Sequence, residues 1–282
     1  VRVVLPAAPG SLTDPVGRIV SEELGKRLGQ TLIIENRPGA GGIIGSQIVV
    51  DATPDGHTLL SVSSAHVTSP AVRAKMPYDT VKDLAGITLT ANATYVLAAT
   101  PSLNLKSVQD LIALAKAKPG QINFSSAGSG SGTHFAGEMF KQSANIDVVH
   151  IPFKGIPESL TDVISGRVQF TMAPIASSVS LIKEGRLRAL GVSSKKRSSL
   201  YPDLPTIAEQ GITGFEWDSW GGLLAPAKTP RAIINKLNRE VVKILAMPDV
   251  IDKLRALGAE PNPTTPEDMD AYVARQLKNA IQ

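Results

Sequence analysis

An α/β fold with two lobes and mainly parallel sheets is what this sequence predicts, on three observations. Short β-branched runs recur at residues 1–5, 31–35, 58–62, 95–99, 122–125, 148–151, 168–172 and 187–192. Helically spaced apolar patterns lie between many of them, and strand followed by helix, repeated, builds parallel sheets. Two segments then read as crossings. At residues 98–102 an apolar strand meets proline, and the tryptophan-bearing residues 216–222 lead into a strand-like run at 223–226. A chain that leaves a lobe and later returns makes two lobes with a cleft between them.

The elements follow in order. Residues 15–28 place Val16, Ile19, Val20, Leu24 and Leu28 at helical spacing, with Asp14 suited to the N-cap and Pro15 to the first helical position. Residues 43–50 form a further helical run after the glycine loop at 37–42. Ser107-Val-Gln-Asp110 opens a helix through 117 in the manner of a capping box, with Asp in place of Glu or Gln. Residues 133–142 continue helically from a glycine-rich turn. Thr206-Ile-Ala-Glu209 reads as a regular capping box whose helix Gly211 stops, and Thr229-Pro230 and Thr265-Pro266 open two terminal helices.

Composition narrows the function. The 282 residues are 43% hydrophobic and 19% charged, enough apolar content for a large core and too little charge for disorder. No apolar run approaches the length of a membrane span. The net charge of +4 mildly favours anionic ligands, but acids and bases are mixed and Lys195-Lys196-Arg197 is the one tight basic cluster, best read as a solvated loop. Aromatics make up only 4%, so a nucleic-acid stripe is not expected. The absence of cysteine removes disulfides, thiolate metal sites and thiol catalysis together. The four histidines, His57, His66, His134 and His150, show no i, i+4 pair and no carboxylate cluster, so no metal is expected.

The stretch "SSAGSGSGTHF" at residues 125–135 carries the most chemistry. It sits between a strand and a helix, where free backbone N–H groups and the helix dipole favour an anion. The plain alternative is a tight strand-to-helix turn. Gly128, Gly130 and Gly132 give G-x-G-x-G rather than a dinucleotide fingerprint, and neither Ser129 nor Ser131 has the G-x-S-x-G frame of a nucleophile elbow. Ser131 and His134 nevertheless leave open a hydrolase or transferase. The turn at residues 6–14 is a second loop at a helix N-terminus and a second candidate anion site. Asp14 by itself reads as a cap. His66 and His134 follow strands, Lys154 offers a cation, and Trp217 and Trp220 read as packing at the lobe junction.

The residues also carry a resemblance. "PGSLTDPVGRIVSEELGKRLGQTLIIENRPGAGGIIGSQIVVDATPDGHTLL", "MPYDTVKDL", "SVQDLIALAKAKPGQINFSSAGSGSGTHFAGEMF", "VVHIPFKGIPESLTDVISGRVQF", "LRALGVSSKKRSSLYPDLPTIAEQGITGFE" and "GLLAPAKTPRAIINKLNREV" follow one another as in the Bug, or TctC-like, family. These are extracytoplasmic solute-binding proteins of tripartite tricarboxylate transporters. The resemblance covers nearly the whole chain. It implies a two-lobed periplasmic-binding-protein fold, type II-like, that closes like a flytrap. Lobe 1 is expected from residues 1–99 and 222–282, lobe 2 from 100–221, with hinges near 98–102 and 214–222. It implies capture of a small mono- or dicarboxylate, aliphatic or aromatic, between the lobes, and delivery to the membrane permease subunits of such a transporter. It further implies a periplasmic monomer without catalysis, cofactor, metal or nucleic-acid partner. A removed signal peptide suits a chain that starts at Val1.

Carried over by position, the implied ligand-binding residues are Ala8, Pro9, Gly10, Ser11, Leu12, Thr13 and Asp14, then Ser64 and His66. In lobe 2 they are Gly128, Ser129, Gly130, Ser131, Thr133, His134, Phe153, Lys154 and Gly155. The chain departs from the family pattern at Ala7, often Phe, at Ser11, often Gly, and at Phe153, often Tyr. Where many members carry an acid after residues 168–170, this chain reads Thr171-Met-Ala-Pro174, which puts a ligand with an amino group in doubt. The effector region of a transcription regulator shares the general architecture, but no helix-turn-helix segment is present.

Overall fold

In the computed structural model the described residues are 1–7, 13–71, 73, 75–198 and 200–281. Two compact units divide the chain. The first comprises Val1–Asn92 and Trp220–Gln282, the second Ala93–Ser219. The chain passes from one to the other inside strand β4 (Leu84–Ala99) and returns inside β9 (Asp218–Pro226). The segment at 98–102 therefore falls within the second unit.

In the first unit β1 (Arg2–Leu5) lies between β2 (Ile33–Asn36) and β3 (Thr58–Ser63), parallel to both. β9 then runs antiparallel beside β3, with Leu60 opposite Leu224. Helix α1 (Thr13–Leu28) buries Val16, Val20 and Leu24 against Val3, Leu5 and Leu59 of the sheet. The helix begins at Thr13, so Asp14 lies in its first turn and is not the N-cap. α2 (Ile43–Val50) starts after Gly42, which takes a left-handed φ of 95°. α3 (Ala65–Ala71) follows β3, and α8 (Arg231–Leu245), α9 (Pro248–Ala256), the short β10 (Ala259–Pro261) and α10 (Pro266–Ile281) complete the unit.

In the second unit β5 (Asn123–Ser126) is parallel to β6 (Val149–Pro152) on one side and to β7 (Phe170–Pro174) on the other. β4 runs antiparallel to β7 and to β8 (Arg188–Val192). Each sheet is thus parallel where strand–helix units supply it and antiparallel where the connecting strands join it. Helices α4 (Val108–Ala117), α5 (Gly132–Ser143), α6 (Ile156–Ile164) and α7 (Ile175–Lys183) cover the faces. Phe124, Phe140 and Phe170 are fully buried at the centre. The Phe124 and Phe170 rings stack at 5.7 Å, and the Phe140 edge meets Phe170 at 6.0 Å.

The capping box of α4 is complete: Ser107 Oγ accepts from Asp110 N, and the Asp110 carboxylate accepts from Ser107 N. The second box forms as well, since Glu209 N donates to Thr206 Oγ1 and Thr206 N to the Glu209 carboxylate. Yet residues 207–211 are a turn and not the expected helix. Gly211 takes a φ of 99° only two residues after Glu209, so too few residues remain to offset the cost of nucleating a helix.

Candidate functional site

The glycine-rich turn connects the carboxyl end of β5 to α5. Gly128 and Gly130 adopt φ of 116° and 80°, where a side chain is strongly disfavoured. A Cβ on Gly128 would also stand 3.2 Å from the Phe153 carbonyl oxygen. Ser131 is the N-cap of α5, its Oγ accepting from His134 N at 3.2 Å. Thr133 Oγ1 folds back to accept from Ala127 N at 2.8 Å and lies 2.9 Å from Ser131 Oγ. The first N–H groups of a helix have no intrahelical acceptor. Among the described residues none accepts from Gly132 or Thr133 N–H. These donors, with the dipole of a 12-residue helix behind them, suit a carboxylate.

Two histidines brace the turn from behind. The His134 and His150 rings stack at 4.0 Å, and His150 stacks in turn on Phe124 at 4.9 Å. Gly130 N–H donates to His134 Nδ1 at 3.2 Å, which fixes that nitrogen as unprotonated. His150 Nε2 lies 2.6 Å from Ser126 Oγ, which also accepts from Gly128 N–H. Desolvation lowers the pKa of both rings; for His150, with the added repulsion of His134, the value reaches about 4. Both rings are neutral at pH 7, as their acceptor and stacking roles require.

The neighbouring loop after β6 holds Phe153, Lys154 and Gly155. Phe153 N donates to Ser126 O, which joins this loop to the root of the glycine turn. Phe153 packs against the cluster of Val96, Leu160 and Ile175, Lys154 is exposed, and Gly155 is the extended N-cap of α6.

The other expected site residues lie in the first unit. Ala8, Pro9, Gly10, Ser11 and Leu12 lie outside the described residues. Thr13 is buried at the start of α1. Asp14 is buried too, and its Oδ1 accepts from Arg18 Nε at 3.1 Å and from Asn36 Nδ2 at 3.0 Å. Asn36 also donates to Ala7 O, so Asp14 ties the end of β2 to the entry of α1. Ser64 is buried, and its carbonyl accepts from Val67 and Thr68 N–H at the head of α3. His66 is 6% exposed and faces a small cavity with Pro6, Gly42, Ser46, Ser69 and Tyr78. Desolvation drops its pKa to about 4.

The structure thus brings Gly128, Ser129, Gly130, Ser131, Thr133, His134 and Phe153 around one turn. The Ser131–His134 pairing expected of a nucleophile and its base is not formed. Ser131 Oγ engages Thr133 and the His134 backbone, while the His134 ring takes Gly130 N–H and faces Glu138 at 3.9 Å. Sequence reasoning missed Ser126 and His150. Pairing them required the register of β5 beside β6, in which Phe124 stands opposite His150, and a single sequence does not reveal that register. Among the described residues no group of three or more His, Asp or Glu side chains could hold a metal. None of their helices is long and apolar enough to cross a membrane.

Known proteins resemble this chain along nearly its whole length. The family model "Tripartite tricarboxylate transporter family receptor" matches residues 16–281. A "UPF0065 protein in tcbD-tcbE intergenic region" of Pseudomonas sp. (strain P51) is 36% identical over 265 residues, spanning 94% of this chain and 79% of its own. Among solved structures, R. palustris Rpa4515 with adipate superposes at a TM-score of 0.88 with 33% identity, over 99% of this chain and 94% of the other. MatC (Rpa3494) from Rhodopseudomonas palustris with bound malate gives 0.85 and 31%, over 100% and 97%. The fold is the two-lobed α/β fold of periplasmic binding proteins. With two thirds of its relatives' length exceeded and the family model matched almost end to end, this chain belongs to the Bug/TctC family of solute-binding receptors, which are not enzymes.

Proposed function

We propose that this protein captures a small carboxylate on the glycine turn between β5 and α5, and delivers it in the periplasm to the permease of a tripartite tricarboxylate-type transporter. The observation that carries the reading is the turn itself. Two glycines at positive φ, with the bare N–H groups of Gly132 and Thr133, make a backbone site for an anion. Such a site reads the carboxylate and leaves the rest of the ligand to neighbouring side chains. The adipate and malate held by similar proteins have this chemistry. Ser129 and Thr133 line the turn, Phe153 supplies an apolar wall, and Lys154 adds positive charge at the next loop. From the first unit we propose residues 8–14, Ser64 and His66 as further ligand-binding candidates.

A ligand that binds the native state alone stabilises it by about 2.7 kcal/mol at a hundredfold excess over Kd. Thermal unfolding in a panel of mono- and dicarboxylates, aliphatic and aromatic, tests the reading. At least one carboxylate is expected to raise Tm by several degrees, with saturation. A flat response across the panel would overturn it.

A further inference from the structure

The two histidines behind the glycine turn answer a proton differently. His150 Nε2 lies 2.6 Å from Ser126 Oγ, and that hydroxyl also lies 3.2 Å from Gly128 O. A proton gained by His150 makes Nε2 a donor to Ser126 Oγ, whose own proton turns to Gly128 O. Gly128 N–H keeps its acceptor throughout, at 3.1 Å. His134 has no such reserve. Its Nδ1 accepts from Gly130 N–H at 3.2 Å, so the neutral ring carries its proton on Nε2, and an added proton goes to Nδ1. Two N–H groups then face each other. The Gly130 amide must turn away, and Gly130, at a φ of 80°, sits in the middle of the turn.

The surroundings decide which ring is charged. α5 packs on β5, β6 and β7, and these strands contain no ionisable side chain except His150. Desolvation holds both rings below the ordinary histidine value, and the charged groups that act on both are Glu138 and Lys141 of α5 itself. Glu138 Oε1 stands 3.9 Å from His134 Nε2 and favours a proton there, while Lys141, 3.4 Å from Glu138, opposes it. The rings stack with centroids 4.0 Å apart, so a charge on His134 repels a second one on His150. The stack takes its first proton at His134, beside Glu138.

We propose that His134 is a proton-operated latch on the glycine turn: the neutral ring holds Gly130 N–H and the shape of the turn, and the protonated ring lets both go. The latch belongs to the turn itself, and its effect on a ligand rests on the reading of that turn as the carboxylate site. An imidazolium acting only through its charge would attract a carboxylate and tighten binding in acid. The latch has the opposite sign, because only molecules with the turn formed are competent to bind.

Nuclear magnetic resonance of the full chain, with glycine and histidine isotope-labelled and no ligand added, tests the latch. Spectra run from about pH 7 down to about pH 4, within the range where circular dichroism stays native. The expected result is a His134 ring protonated on Nε2 at neutral pH, and a Gly130 amide resonance that shifts with the His134 midpoint. In His134→Asn, whose Oδ1 takes the place of Nδ1 without titrating, the Gly130 amide should hold still. The wild-type spectra stand without the variant. A Gly130 amide unmoved while His134 titrates, or a His134 that takes no proton before the chain unfolds, overturns the inference. Calorimetry with adipate and with malate then reads the effect on binding. About one pH unit below the His134 midpoint, about a tenth of the molecules keep the turn, so wild-type affinity should fall about tenfold relative to His134→Asn. The ligand's own titration is common to both proteins and cancels. An equal fall in both, or tighter wild-type binding in acid, overturns the coupling to binding. If neither probe binds at neutral pH, the carboxylate reading fails for them, while the spectra still decide the latch.

Discussion

Ser131 illustrates how a single side chain can serve the site without touching chemistry. Its hydroxyl caps α5 by accepting from His134 N and leans on Thr133, so it sets where the free N–H groups point. Loss of a serine N-cap costs about 0.5–2 kcal/mol. Ser131→Ala is therefore expected to lower stability by about 1 kcal/mol in urea unfolding, and to weaken carboxylate binding by about tenfold or less. A nucleophile would behave in the opposite way, losing function with stability and binding intact. The sequence showed Ser131 and His134 as neighbours, and their spacing allowed an enzyme. The hydrogen bonds decide against that pairing, because His134 Nδ1 is already occupied by Gly130 N–H. Asp14 teaches the same lesson in the first unit. It reads as a cap, but it lies inside the first turn of α1, where its buried bonds to Arg18 and Asn36 brace the helix.

At the scale of elements, α5 is held against the sheet at unusually short range. A Cβ on Gly137 would come within 2.2 Å of the Phe124 ring. That ring is locked by His150 on one side and Phe170 on the other, so it cannot yield. Overpacking costs about 1–3 kcal/mol, and the better helix propensity of alanine returns about 1 kcal/mol or less. With a gap this short, the packing cost is expected to win. Gly137→Ala should lower Tm and shift the glycine turn, read as weaker carboxylate binding; a Tm at or above wild type would refute the close-packing account. Elements with strong local signals were legible. The Ser107 capping box, the run at 43–50 and the strand before the glycine turn all appear where the sequence places them. The box at Thr206 was equally clear and produced only a turn, because capping fixes a start and Gly211 ends it too soon. The antiparallel courses of β4 and β9 were not legible, since nothing local distinguishes a strand that joins two units from one that stays in its own.

Across the whole molecule, three histidines held neutral by burial couple stability to pH. His66 and His150 have native values near 4, and His134 is also lowered, against about 6.5 in the unfolded chain. Between those values the unfolded chain binds more protons, so stability falls as pH drops from about 6.5 to about 4. Asp218, raised to about 6, and Asp270, also raised by desolvation, oppose this, because a raised native value adds stability as pH falls. Two carboxyls against three imidazoles leave the histidines dominant. Urea midpoints measured from pH 7 to pH 4 should therefore decline, and His150→Phe, which keeps a stacked ring without a titrating one, should decline less steeply. An identical slope in that variant would remove His150 from the account. His134 and His150 also support the turn on which the functional reading depends, and that reading can be put to the backbone directly. Calorimetric titration of the wild type, Ser129→Ala and Gly128→Val with the carboxylate that most raises Tm is the decisive measurement. Two backbone donors to a charged group contribute about 1.5–3 kcal/mol each, so Gly128→Val, which cannot keep a φ of 116° without strain, is predicted to lose about 100-fold or more in affinity while retaining its circular dichroism. Ser129→Ala is predicted to stay within about tenfold of wild type. Wild-type affinity in Gly128→Val would show that the turn only connects β5 to α5, and would contradict the account.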